Sequence, residues 1–213
     1  MIDDERSAQG WIEALPECDS VALSRLERLI ALLSDENNRQ NLVSASSLGA
    51  IWRRHIADSA QLLSYVPRGT SGKWLDLGTG AGFPGLVIAI LRPELPIHLS
   101  ESRARRAQWL ENAATALGLA NVSVRASRLE LIQTEHVSVI SARAFAPLER
   151  LLELSARLST AETIWLLPKG RSAAQELREL TGWDHLFYVE QSLTDPEAGL
   201  IVGRLNGKAR QGT

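Results

Sequence analysis

Residues 76–85 read DLGTGAGFPG, with KWL ahead of them and LVIAIL behind. Glycines at 78, 80, 82 and 85 strip side chains from a segment between two apolar runs, as a backbone must when it turns sharply or comes close to a ligand. The flanking runs say what is being joined. KWLDLG is short and β-rich, whereas PGLVIAILR has helical length and carries Pro84 where a first helical turn tolerates it. The glycines therefore connect a strand to a helix, and backbone N–H groups at the start of that helix are free to meet polar ligand atoms.

The same rhythm continues downstream. PIHLSE precedes RARRAQWLENAATALG, VSVRAS precedes a short LELI turn, VSVISA precedes LERLLELSARL, and TIWLLPKG precedes SAAQELREL. Strands that alternate with helices predict right-handed βαβ units and a parallel sheet covered on both faces. HLFYVEQSL and GLIVGRLN flank TDPEA with no room for a helix, which predicts a C-terminal antiparallel hairpin at the sheet edge. The fold class expected is α/β, a Rossmann-like, seven-stranded, mostly parallel sheet. Upstream, a helix capped by Asp19 or Ser20 carries Leu26, Leu29, Ile30 and Leu33 at helical spacing. A second helix is expected from Ser46 or Ser47, with Leu48, Ile51, Trp52, Ile56, Leu62 and Leu63 on one side, ending before Pro67. RGTSG at 68–72 marks the change of rhythm. The organisation expected is an N-terminal helical extension over 1–70 and a Rossmann-like unit over 71–213.

Composition limits the function classes. The chain has 213 residues, 45% hydrophobic and 23% charged, with a net charge of −2, as expected of a compact globular protein. Its start, MIDDERSAQG, is acidic and polar unlike a secretory leader, and its longest apolar run, GLVIAIL, is far too short to cross a bilayer, so a cytoplasmic protein is expected. The single Cys18 excludes an internal disulfide and a cysteine-based zinc cluster, and no metal site is expected. Bulk charge gives no attraction for nucleic acid, so such binding has to be local. Arg53, Arg54 and His55; Arg103, Arg105 and Arg106; Lys169 and Arg171; and Lys208 and Arg210 form basic clusters, each of which taken alone reads as a solvated helix face or chain end.

The glycine turn falls at the carboxyl end of a parallel strand, where open α/β sheets bind ligands. Glu101 ends the second strand about 20 positions beyond Gly80, the distance at which an acid hydrogen-bonds ribose hydroxyls. An adenosine-bearing cofactor follows, and two classes compete. Gly80, Gly82 and Gly85 satisfy GxGxxG, the pattern of a nicotinamide or flavin dinucleotide site. Asp76 argues the other way: it lies where a pyrophosphate would sit, repels phosphate, and suits the ammonium of S-adenosylmethionine. The terminal hairpin also favours a methyltransferase sheet. A third class, an RNA-binding module with a degenerate pocket, stays open on these residues.

Further motifs carry a resemblance. NLVSA, RRHIADS (53–59), DLGTGAGFPG, the RRAQWL helix after Glu101, ASRLE (126–130), ARAFAPL (142–148) and LPKG (167–170) occur in this order. Between about Asn41 and Gly170 the chain closely resembles the bacterial 16S ribosomal RNA guanine-N7 methyltransferases known as RsmG or glucose-inhibited division protein B. The resemblance implies methylation of a single guanine in the 530 loop of 16S rRNA from S-adenosylmethionine, on the 30S subunit or an assembly intermediate, by a monomer. It further implies that Gly78 and Phe83 contact the cofactor, that Leu129 and Glu130 lie beside its adenine, and that Arg143 faces the methyl-transfer region as the catalytic residue. Arg54 and His55 join the RNA or cofactor mouth on the same ground. Two positions depart from relatives: Ser138 stands where an acid is frequent, and Glu101 where some carry Asp.

The residues agree with this chemistry. Guanine N7 attacks through a lone pair that carries no proton at neutral pH, so donor and acceptor need alignment and no general base. Pyrimidine C5 methylation would call for a nucleophilic cysteine, and Cys18 lies outside the sheet region. Amine methylation often uses an Asx-Pro-Pro-aromatic turn, where this chain has SARAFAPL. Arg143 in that turn can hold an rRNA phosphate or stack on a base. Arg54, Lys169 and Arg171 are the other RNA-binding candidates. His55, Asp58 and Ser59 offer the residue types of a hydrolase triad, but they share one helix and no GxSxG elbow exists, so Asp58 is expected to pair with Arg54 and His55 to pack at the helix–sheet interface. Trp109 is expected in the core of its helix.

Overall fold

The computed structural model describes residues 1–133 and 136–209; Arg210 of the last basic cluster lies outside them. The chain opens with α1 (Glu5–Glu13), α2 (Ser20–Asn37) and α3 (Ala45–Leu48), followed by a π-helical turn at Trp52–Ala57, α4 (Asp58–Ala60) and a 3₁₀ turn at Gln61–Tyr65. Next come β1 (Trp74–Leu77), α5 (Gly85–Leu91), β2 (Ile97–Ser100), α6 (Ala104–Ala116), β3 (Val122–Arg125), a 3₁₀ turn at Leu129–Leu131 and β4 (Val139–Ala142). The rest comprises α7 (Leu148–Ser155), β5 (Ile164–Gly170), α8 (Ala173–Glu179), β6 (Trp183–His185), β7 (Tyr188–Gln191), β8 (Gly199–Gly203) and β9 (Leu205–Lys208).

Seven strands form one sheet in the order β3-β2-β1-β4-β5-β8-β7. The first five are parallel, and β8 and β7 add the antiparallel hairpin, with β8 inserted beside β5. Side chains of β1 alternate between two cores. Trp74 enters the core that holds α5 and the N-terminal helices, and Leu75 and Leu77 enter the other, with Ile140, Trp165, Leu151 and Leu152. GLVIAIL is apolar all round because every residue of α5 is buried, which requires cover on the side away from the sheet. Leu26, Leu29 and Leu33 of α2 share that core and supply it. Among the described residues no helix is long and apolar enough to cross a membrane.

Three local departures matter. Helix α1 was not legible as hydrophobic periodicity; its start is a capping box in which Asp4 accepts from the Ser7 amide and Ser7 returns a bond to the Asp4 amide. The second helix, expected to run unbroken from Ser46 or Ser47 to Pro67, is divided. The Glu5 carboxylate takes the Trp52 and Arg53 amides, both at 2.9 Å, so these donors leave the helical ladder and a wider π turn follows. Finally, the terminal hairpin splits at Gly203, where the backbone has φ +147 and any Cβ would meet the Leu186 carbonyl oxygen at 2.2 Å. Beyond that bend β9 pairs with β6 in a separate two-stranded sheet.

Candidate active site

The glycine loop leaves β1 at the carboxyl edge. Gly78 has φ +64, a region L residues rarely adopt, and a Cβ there would lie 2.3 Å from Cδ2 of Phe145. Asp76, expected to face a cofactor ammonium, is fully buried beneath this loop. One carboxylate oxygen accepts from Ser141 Oγ at 2.7 Å, the other from the Gly85 amide at 3.0 Å, and Ser141 itself accepts from Trp74 Nε1 at 2.8 Å. Burial pushes its carboxyl up to about 6, against the opposing pull of these bonds and of Arg143. Its observed job is to hold the loop against the sheet.

Glu101 fastens the loop from the β2 side. It is 6% exposed, and its two oxygens accept from the Gly80 amide at 3.1 Å and the Arg103 amide at 2.8 Å. A carboxylate has about four acceptor sites, so two remain for a ligand. Trp109 is buried as expected and does more than pack: its Nε1 donates to the Ala81 carbonyl at 3.0 Å, pinning the loop to α6. Leu129 is buried and Glu130 exposed in the 3₁₀ turn after β3, where Arg157 donates to the Leu129 carbonyl at 2.7 Å.

Arg143, immediately after β4, joins the sheet to the π turn. Its Nη1 donates to Asp58 Oδ2 and to the Arg54 carbonyl, both at 3.1 Å, and its Nη2 donates to His55 Nδ1 at 2.8 Å. Because a guanidinium can only donate, Nδ1 is the acceptor and the His55 proton sits on Nε2. Burial, then the positive charges of Arg143 and Arg54, hold the imidazole down to about 3. Its ring stacks on Phe83 at 4.7 Å between centroids, and the Arg143 guanidinium lies 5.4 Å from the same ring.

Asp58 does not pair with Arg54. In a π turn residues four apart no longer lie one above the other, and the carboxylate instead binds Arg143, Gln61 Nε2 at 2.9 Å and Thr194 Oγ1 at 3.0 Å. Ser59 Oγ donates to the His55 carbonyl at 2.5 Å, so the three residues form no hydrolase triad.

An open cavity of about 980 Å³ lies on the β4–β5–β8 side, lined by Arg54, His55, Arg143, Phe145, Lys169 and Thr194 among others. Gly78, Gly80, Glu101 and Leu129 do not line it. The glycine loop and the cavity are thus neighbours, joined through Arg143 over the Phe83 ring and Phe145 against Gly78. Phe145, whose ring covers Gly78, was missed by sequence reasoning; the only signal was an aromatic residue in SARAFAPL.

Lys169 requires a correction as an RNA contact. Its side chain is 8% exposed, donates to the Ala146 carbonyl and pairs with Glu176 at 2.9 Å. Glu176 in turn accepts from the Leu148 amide at 2.7 Å, so this lysine braces the start of α7 and the turn that follows Arg143. Arg171 is exposed and pairs with Glu197. Arg54 is exposed at the cavity mouth.

Comparison with known proteins follows the same lines. Residues 22–193 match the family model GidB, described as rRNA small subunit methyltransferase G. The chain is 56% identical to the ribosomal RNA small subunit methyltransferase G of Erythrobacter litoralis, covering 99% of this chain and 100% of that protein. It is 55% identical to the protein of the same name from Novosphingobium aromaticivorans, covering 94% and 88%. Among solved structures it is similar in fold to cofactor-bound Rv0187 from MTB, with a TM-score of 0.63 at 13% identity over 96% of this chain and 99% of that one. It is also similar to a SAM-dependent methyltransferase from Aquifex aeolicus, with a TM-score of 0.57 at 15% identity over 81% and 97%. With a family match over most of its length and relatives identical at more than half of the aligned positions, the chain belongs to the GidB family, rRNA small subunit methyltransferase G.

Proposed function

We propose that this protein transfers the methyl group of S-adenosylmethionine to N7 of a single guanine in the 530 loop of 16S rRNA, acting as a cytoplasmic monomer on the 30S subunit or an assembly intermediate. The observation that carries the reading is the glycine loop set beside the cavity, with the cavity's Arg143 lying over Phe83 of the loop. The loop side has the features of a cofactor site: a backbone open at Gly80, and an acid at the end of β2 with two acceptor positions left for ribose hydroxyls. The cavity is large enough for a nucleotide and has cationic groups on its wall.

When bound, S-adenosylmethionine supplies an electrophilic methyl carbon on sulfur. The residues that would hold it are Gly78, Gly80, Phe83, Glu101, Leu129 and Glu130, with Asp76 acting through the loop. The chain's own task is then alignment. Arg143 and Phe145 on the cavity wall, backed by the Phe83 ring, set the approach of the base, while Arg54 and Arg171 meet the RNA backbone at the rim. His55 is neutral, accepts from Arg143 at Nδ1, and with its pKa held down to about 3 is unsuited to act as a base at neutral pH. That agrees with an acceptor atom which has no proton to lose.

Incubation with tritiated S-adenosylmethionine and either naked 16S rRNA or 30S particles, followed by nucleoside digestion, tests the proposal. One 7-methylguanosine per 16S rRNA, from the 530 loop, is expected, with the particle the better substrate. Label in another nucleoside, or RNA binding without label, would contradict it.

A further inference from the structure

Three arginines open α6, at the positive end of the helix dipole, where cations are disfavoured. Arg103 and Arg105 are exposed, and Arg105 Nη2 donates to the Arg39 carbonyl at 3.4 Å. Arg106 differs from both. It is half-buried, and among the described residues its guanidinium has neither a hydrogen bond nor an ion pair. Its Nη1 stands 3.8 Å from the place a Cβ on Gly80 would occupy, so it lies directly against the glycine loop. Among the described residues Arg106 forms no ion pair with the nearby Glu101, whose oxygens accept from the Gly80 and Arg103 amides.

A partly desolvated cation with no partner, at the wrong end of a helix, is a standing electrostatic cost that an anion would remove. Gly80 keeps that spot open. It has φ +61 and no side chain, and the atoms nearest to its missing Cβ are the Gly78 carbonyl oxygen at 3.7 Å and Arg106 itself. A cofactor held by its ribose on Glu101 would bring its amino-acid arm to the glycines. The one anionic group of S-adenosylmethionine is the carboxylate of that arm.

We propose that Arg106 binds the carboxylate of the cofactor's amino-acid arm and is a cofactor-binding residue of this enzyme. The inference rests on the cofactor site described above. A guanidinium facing a carboxylate is a charge-assisted contact of the stronger kind, and its planar fork makes lysine an imperfect substitute.

The test is calorimetric and needs no RNA. S-adenosylhomocysteine, which has the carboxylate, and 5′-methylthioadenosine, which lacks the whole amino-acid arm, are titrated into wild type, Arg106→Gln and Arg106→Lys, with displacement titration where the smaller ligand binds weakly. Arg106→Gln should weaken S-adenosylhomocysteine by about tenfold or more and leave methylthioadenosine within about twofold. Arg106→Lys should recover part of the loss, and the melting temperature without ligand should not fall in either variant, since neither removes a hydrogen bond or ion pair among the described residues. Equal weakening of both ligands would overturn the proposal in favour of a nucleoside contact or a displaced loop. Unchanged S-adenosylhomocysteine affinity would overturn it outright, and weaker rRNA binding by that same variant would assign Arg106 to a phosphate. Failure of wild type to bind S-adenosylhomocysteine would instead bring down the cofactor reading, a separate and recognisable result.

Discussion

The glycine loop and the cavity beside it, two regions at the carboxyl edge of the sheet, differ in how they are held. The glycine loop is fixed by backbone: Asp76 and Glu101 take the Gly85, Gly80 and Arg103 amides, and Trp109 takes the Ala81 carbonyl. The cavity is fixed by charged side chains that tie distant segments together, with Arg143 on Asp58 and His55, Asp58 on Thr194, and Lys169 on Glu176. Backbone fastening fixes the course of the glycine loop. Charged ties across the N-terminal helices, the post-β4 turn and the 192–198 loop make the cavity depend on the whole fold.

The largest expected effect breaks the joint between them. Arg143→Ala leaves Asp58 and the buried His55 without their guanidinium and removes the cation over Phe83. Single-turnover methyl transfer should fall by about a hundredfold, with a loss of about 2 kcal/mol in denaturant-measured stability. A variant with full rate would show that the loop and the cavity do not act through this residue. Next comes Glu101→Ala, which removes both loop fastenings and the ribose acceptor. Cofactor affinity by calorimetry should drop about tenfold or more, whereas rRNA binding without cofactor should be little changed.

Lys169 separates structural from RNA-binding cations. Lys169→Met should destabilise the protein by about 2 kcal/mol by leaving Glu176 and the Ala146 carbonyl without their partner, while the salt dependence of rRNA binding stays as in wild type. A shallower salt slope would restore the lysine as a phosphate contact. Trp109→Phe has a smaller effect: it keeps the ring in the core but drops the bond to Ala81, costing about 1 kcal/mol in thermal unfolding and a few-fold in cofactor affinity.

One buried titratable group in each region sharpens the contrast through pH. His55 has a folded pKa depressed to about 3 from 6.5, so the unfolded chain binds the proton more readily. Its contribution to stability is present above about 6.5 and is lost as pH falls toward 3, by up to about 1.4 kcal/mol per pH unit relative to His55→Phe. Asp76 is raised to about 6 from 3.8 and has the opposite sign. Its contribution is present below about 3.8 and is lost as pH rises through 6, so wild type should lose stability relative to Asp76→Asn over that interval. Urea titrations of both variants across this range check the two signs.

The difference between the two regions is also the difference between what sequence reasoning reached and what it did not. The glycine turn, the acid of β2 and the alternation of strands and helices are local patterns, and local patterns fix local backbone. They gave the sheet with its terminal hairpin, together with the positions of Gly80 and Glu101. The cavity side rests on partners far apart in the chain. Arg54 was the expected partner of Asp58 because helical spacing favours i,i+4 pairs, but Glu5 caps two amides and a π turn breaks that spacing. Lys169 read as a surface cation because Glu176 has no sequence mark as its partner. The β6–β9 sheet depends on a bend at Gly203, where the Leu186 carbonyl leaves no room for a side chain.

The proposed function requires the glycine loop and the cavity to align a proton-free acceptor with the cofactor and to supply no base. The most direct test is the single-turnover rate of methyl transfer to 30S particles, with cofactor and particle saturating, followed from about pH 7 to 9. The account predicts a flat profile in wild type and a slower but equally flat one in Arg143→Ala, because His55 stays neutral and Asp76 stays ionised across that range. A rate that climbs with pH along a single ionisation would contradict it and point to methylation of a group that must first give up a proton.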